Sequence, residues 1–258
     1  WVFYRACDQG RGAAFGAAIA AQAEAGDGDA KRLTQVRQAR AAVAAAFFKA
    51  NAAEWERIRA LHAPEKDVEA AILRRLGAAP IENLLDAGTG TGRMLELLAP
   101  LATRAVGLDI SPEMLAIARD RLAQRSLNHA QVRLADTYRL PFPTAAAGQG
   151  FDTVLFHQVL HYLDDPGAAV LEAARVLRPG GRLLIADFAP HTLEFLREDF
   201  AHRRLGFPDR EVHGWFAAAG LKTQESESIA PQDGSKEKLT VKIWLAAAKA
   251  APHTKVAA

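Results

Sequence analysis

Asn83–Glu96 reads NLLDAGTGTGRMLE, and the rest of the chain is read outward from it. Leu84 and Leu85 lead into Asp86; Gly88, Gly90 and Gly92 follow at every second position; Leu95, Leu97 and Leu98 then recur at helical spacing. The pattern predicts a strand, a tight glycine turn and a helix. Glycine suits such a turn because the chain reverses with positive φ and a ligand must approach backbone where a Cβ would collide. The helix that follows offers unpaired N–H groups to a polar or anionic ligand group. A dinucleotide fingerprint, G-x-G-x-x-G, starting at Gly88 would need its third glycine where Arg93 stands, so that ligand class fits poorly.

Downstream, short apolar runs alternate with helical patterns. Ala105–Leu108 predicts a strand ending at Asp109, Val132–Ala135 one ending at Asp136, Phe151–Phe156 one ending at His157, and Arg182–Phe188 a fifth. Between them, Ser111 is placed to cap a helix with Pro112 at its first position, and Pro166–Leu177 reads as another. Alternation of this kind implies a parallel sheet covered on both faces, with ligands at the C-terminal ends of its strands. Further on, the reading gives a helix over Thr192–Leu205, a second over Arg210–Ala219 capped by Asp209 and stopped by Gly220, and a closing hairpin of Leu221–Ile229 and Leu239–Ala248.

Four motifs in order across about 100 residues carry a resemblance: Asp86-x-Gly88-x-Gly90-x-Gly92, Asp109 at the second strand end, RLADTYRLPF at 133–142 and VLRPGGRLLIADF at 176–188. Together they resemble class I S-adenosylmethionine (SAM)-dependent methyltransferases acting on small molecules. The resemblance implies an α/β, Rossmann-like sheet, mostly parallel, with an antiparallel C-terminal hairpin whose last strand lies beside the fifth. SAM is the implied cofactor, held by Asp86, Gly88, Thr89, Gly90 and Gly92. Asp109 would accept from the ribose hydroxyls, with Ile110 on the adenine and Met114 nearby. Ala135, Asp136 and Thr137 would line the adenine, Asp136 accepting from its amino group. His157 and Gln158 would flank the methionyl end. His161 would face the acceptor, and the lid segment after the fifth strand offers His202 and Arg203 to it. The catalytic residue stays open, with His161 and His202 as candidates and a purely structural His161 as the rival.

His157 and His161 stand four residues apart and could share a helix face toward a metal, but HQVLH lacks the glutamate of a zinc protease and no third ligand is evident, so no metal is expected. Cytosine C5 methylation needs a cysteine nucleophile, and the single cysteine, Cys7, lies far outside the motifs. The default acceptor is a small organic molecule.

Lysine and arginine total 32 against 30 acidic residues over 258 positions, so net charge alone points to no nucleic-acid partner. No run approaches the roughly 18 apolar residues of a membrane span, nor does a signal peptide begin at Trp1; a cytoplasmic location is expected. WVFYR at 1–5, a polar turn and the small-residue helix Ala13–Glu24 resemble the last wing strand and dimer helix of ArsR-type regulators. Lys31–Leu61, free of proline and glycine, predicts a long connecting helix in one or two pieces. The expected division is therefore 1–62, a wing remnant with dimerisation and linker helices, and 63–258, the SAM-dependent domain. The expected function is methyl transfer in a homodimer whose upstream part binds DNA, this chain alone binding none. The alternative is a transcription regulator that binds SAM or S-adenosylhomocysteine as effector without turnover.

Overall fold

A computed structural model describes residues 27–62, 64–145, 149–231 and 239–250. The strand expected at Trp1–Arg5 and the helix expected at Ala13–Glu24 lie outside these residues, as does Cys7. The chain divides into two compact units, Trp1–Val43 and Ala44–Ala258. Helices α1 (Asp27–Asn51), α2 (Trp55–His62) and α3 (Glu65–Leu76) precede the sheet, with a 3-10 turn at Ala52–Glu54 between the first two. They are followed by β1 (Ile81–Ala87), α4 (Arg93–Leu98), β2 (Ala102–Asp109), α5 (Pro112–Gln124), β3 (Ala130–Leu134) and β4 (Phe151–His157). Then come α6 (Pro166–Val176), β5 (Leu177–Phe188), α7 (Phe195–Asp199), α8 (Asp209–Ala218), β6 (Lys222–Ile229) and β7 (Val241–Ala247).

The seven strands form one sheet in the order β3-β2-β1-β4-β5-β7-β6. The first five run parallel, and β7 pairs antiparallel with both β5 and β6. Because side chains alternate across a strand, consecutive leucines serve opposite cores. Leu84 joins Val68, Ile72, Leu95 and Leu98 on the face covered by α3 and α4, while Leu85 joins Val170, Ala173, Val212 and Phe216 under α6 and α8. With both faces covered, the sheet leaves its strand ends as the place for a site, which is where Asp86, Asp109, His157 and Asp187 fall.

The starts of α5 and α6 are capped by side chains, Ser111 and Asp165. Ser111 Oγ accepts from the Met114 amide at 3.2 Å, with Pro112 in the first turn of α5. Two expectations need correction. The helix expected over Thr192–Leu205 is the short α7: Ala201 takes φ +57, the His202 amide turns back to the Leu196 carbonyl, and the Arg203 and Arg204 amides donate to the His161 carbonyl. These bonds tie the chain to the sheet's end and compete with helix propagation. Asp209 does not cap its helix; its carboxylate instead accepts from Trp244 Nε1 at 2.8 Å and pairs with Lys242. Among the described residues, no helix is long and apolar enough to cross a membrane.

Candidate functional site

The glycine turn is folded onto the end of β2. The amides of Gly88 and Thr89 both donate to the Leu108 carbonyl, at 2.7 and 2.8 Å, and the Gly92 amide returns to the Thr89 carbonyl at 2.9 Å. Gly88 has φ +81, and a Cβ on it would fall 2.4 Å from Val159 Cγ2. The turn therefore needs glycine there for both backbone conformation and space. Asp109 Oδ2 accepts from the Gly90 amide at 2.8 Å and Oδ1 from the Ser111 amide at 2.9 Å. Each oxygen keeps a second lone pair, so the carboxylate can brace the turn and still accept from a diol.

Around this acid the structure gathers the other residues expected at an adenosine. Ile110, the next residue, is 53% exposed and so open to a ligand. The Ala135 amide donates to the Asp109 carbonyl at 2.9 Å, bringing the ends of β2 and β3 together. Asp136 is exposed, its Oδ1 accepting from the Tyr138 amide, and Thr137 is buried. Met114 is buried in the first turn of α5, behind the acid rather than on the surface.

Asp86 is buried, and Thr89 Oγ1 donates to its Oδ2 at 2.6 Å while Oδ1 has no hydrogen-bond partner. Burial pushes its pKa up to about 7, against the Thr89 hydrogen bond and with the neighbouring Asp109 charge adding to the rise. Gln158, held at φ +53 with its amide on the Ala186 carbonyl, leaves Nε2 buried and likewise unmatched. An orphan acceptor and an orphan donor at the end of β1 and β4 suit the ammonium and carboxylate of an amino-acid moiety. By these observations the residues present fit the expected cofactor.

Helix α2 supplies groups that sequence reasoning missed. The Arg59 guanidinium is buried, paired with Glu56 at 2.8 Å and Glu65 at 2.7 Å, with Nη1 3.3 Å from His157 Nδ1. Glu56 also accepts from Thr91 Oγ1 and from Arg121 at 3.0 Å, so α2 is fastened to the glycine turn itself. Burial first, and the Arg59 charge second, hold the His157 pKa well below the usual imidazole range, leaving the ring neutral. The i, i+3 spacing of Glu56 and Arg59 was the available signal, yet it is indistinguishable from an ordinary solvated helix pair. Arg93, the residue that broke the dinucleotide pattern, makes a two-pronged pair with Glu69 at 2.7 Å and braces α4 on α3.

On the acceptor side, the 3-10 turn Leu160–Tyr162 after β4 lays His161 against the end of β5. His161 Nδ1 lies 2.7 Å from Asp187 Oδ1, both groups being almost fully buried, and the His161 amide donates to Oδ2 at 3.3 Å. The carboxylate fixes the proton on Nδ1, which leaves Nε2 as an acceptor, and that atom has no partner within the protein. His202 packs with its ring centroid 4.2 Å from that of His161, so the two imidazole candidates are brought together. Arg203 is placed differently: its Nη1 pairs with Asp164 at 2.7 Å. Asp187 lies inside the IADF motif but had been given no role. Among the described residues, no group of three or more His, Cys, Asp or Glu could hold a metal ion.

Residues 85–185 match the family model described as a methyltransferase domain. The chain is 36% identical over 119 residues to demethylmenaquinone methyltransferase of Tropheryma whipplei (strain Twist), a match covering 46% of this chain and 47% of that protein. It is 35% identical over 155 residues to malonyl-[acyl-carrier protein] O-methyltransferase of Serratia marcescens, covering 60% and 56%. The chain thus spans about half the length of the curated relatives it matches. The crystal structure of N-methyltransferase NodS from Bradyrhizobium japonicum WM9 with S-adenosyl-L-homocysteine superposes with a TM-score of 0.57 at 21% identity, covering 72% of this chain and 88% of that one. Glycine turn, strand-end acids and sheet order all fall in or around the segment that matches the methyltransferase-domain model, and the sheet has the Rossmann-like class I methyltransferase fold.

Proposed function

We propose that the chain transfers a methyl group from SAM to a hydroxyl of a small-molecule acceptor, with His161 as the general base and Asp187 as the residue that positions it. The observation that carries this reading is the buried His161–Asp187 pair, with Nε2 left as an unmatched acceptor at the strand ends beside the glycine turn. Asp109 would hold the ribose, Ile110, Ala135, Asp136 and Thr137 the adenine, and Asp86 and Gln158 the methionyl end, with Gly88, Thr89, Gly90 and Gly92 giving the close backbone. When bound, SAM supplies a methyl group activated by its positively charged sulfur. The residues bring the acceptor in line in a water-poor site, and His161 Nε2 takes the hydroxyl proton while Asp187 stabilises the imidazolium that forms. The O-methyltransferase from Serratia marcescens, named for an oxygen acceptor, supports this reading by analogy.

The test is label transfer from radiolabelled SAM to a panel of hydroxyl compounds. His161→Asn is expected to lower kcat by about 10²- to 10⁴-fold, the usual worth of a general base, with SAM affinity unchanged. Equal kcat in the folded variant would remove the base role. A second reading rests on the sequence of residues 1–24: a homodimeric ArsR-type regulator in which SAM or its demethylated product acts as effector. The likeness to a wing and dimer helix is its support, and mobility shifts with and without SAM, on the protein with its upstream residues, test it.

A further inference from the structure

We propose that the acceptor is an uncharged aromatic alcohol, bound between a ring face offered by the N-terminal helices and the His161 turn. This rests on the reading of His161 as base. Phe48, at the end of α1, sits with its ring centroid 4.9 Å from Tyr162 and 5.4 Å from Trp55, and Trp55 lies 6.3 Å from Tyr162. Tyr162 in turn is 4.1 Å from His161, and His202 stacks on Phe188 at 5.7 Å with an angle of 15°. A continuous chain of ring contacts therefore runs from Phe48 to the His161 ring, whose Nε2 is buried and unmatched. Phe48 meets both Tyr162 and Trp55 edge to face, contacts that a flat guest can replace in kind by parting them.

Charge narrows the class. An anionic acceptor would need a cation here, but Arg203 is paired with Asp164, Arg204 lies 3.6 Å from Glu211, and Arg197 lies 3.1 Å from Glu194. Burial holds His191 down to about 4, so it too is neutral at physiological pH. A cationic acceptor would need a carboxylate, and Asp187 is already occupied by the His161 ring and two backbone amides. Burying an unpaired charge against these rings is unfavourable; burying a neutral ring is not. The acceptor needs only one polar contact, from its hydroxyl to Nε2. In the transfer the O–H proton goes to His161 Nε2 and the new C–O bond forms. The sulfur–methyl bond of the donor breaks, with its electron pair remaining on sulfur as a neutral thioether.

Three probes sharing one ring system test the proposal: 2-naphthol, 2-naphthoate and 2-naphthylmethylammonium, titrated by calorimetry into the whole chain saturated with S-adenosylhomocysteine. We expect 2-naphthol to bind about tenfold or more tighter than either charged probe. Phe48→Ala should weaken that binding by about tenfold, with Phe48→Leu between the two, while SAM affinity stays unchanged. Either charged probe binding as well as naphthol, no binding by any of the three, or no effect of Phe48→Leu and Phe48→Ala overturns it. Preferential naphthol binding without any label transfer would keep the acceptor class and remove the base role; His161-dependent methylation of a charged probe would do the reverse.

Discussion

The Asp109 carboxylate accepts a 2.8 Å hydrogen bond from the Gly90 amide, so the acid expected to hold a ribose also holds the turn over which the nucleoside would lie. Burial raises its pKa, opposed by the Ser111 and Gly90 amides that donate to it. Asp109→Ala is therefore expected to lose affinity for SAM by about 1–3 kcal/mol, the scale of charge-assisted hydrogen bonds, and to melt at a lower temperature while remaining folded. Calorimetric titration and differential scanning calorimetry on one preparation read both effects. Unchanged affinity in the folded variant would place the ribose elsewhere.

Asp86 should leave a signature in stability against pH. Its pKa is about 7 in the folded protein and 3.8 as the unperturbed reference. Between those values the folded state retains a proton that the unfolded state has released, so this residue's contribution falls as pH rises through about 4 to 7 and is constant above. The lowered pKa values of His157 and His191 act oppositely, removing stability as pH falls below 6.5. Asp86→Asn isolates the first effect: its urea midpoint relative to wild type should climb between pH 4 and pH 7 and then level. Arg59→Met, which removes a cation that lowers the Asp86 pKa, should extend that climb upward. A pH-independent difference for Asp86→Asn would show the carboxyl to be ionised throughout.

At Gly88, an added methyl meets the Val159 side chain and the backbone is at φ +81. Gly88→Ala is expected to destabilise the fold by about 1–3 kcal/mol from backbone strain alone, and to weaken SAM binding. Val159→Ala in the same chain should return the part caused by collision and leave the part caused by φ, a coupling that a double-mutant cycle by urea denaturation measures. Strict additivity would mean that the two residues do not press on each other.

The sheet and its glycine turn were legible because their signals are local: apolar runs closed by Asp109 and His157, alternating glycines after Asp86, a serine–proline helix start at Ser111. The edge strand β3 was read one to two residues late, over Val132–Ala135, because most of its side chains face water and the apolar pattern is weak. What could not be read was pairing across sequence. Asp187 gains a role only because β5 lies beside β4, which puts it against a histidine 26 positions earlier. Arg59 reaches His157 across 98 positions, and nothing in the segment RIRALH separates it from a solvent-facing arginine. Asp209 was read by a local rule, helix capping, and lost to a distant partner on β7.

The placement of β7 between β5 and β6 sets an order of events during synthesis. When the ribosome has delivered Ile229, β5 has its parallel neighbour β4 but its other edge is bare, and β6 has no strand to pair with, since that edge of β5 and β6 both bond to residues 241–247. Trp244, completely enclosed in the finished protein, has yet to arrive. A nascent chain at this stage exposes the apolar edge of its central sheet, the state in which proteins recruit foreign strands. The edge of β5 that carries Asp187 is therefore the last part of the central sheet to gain its second neighbour, when residues 241–247 pair with it.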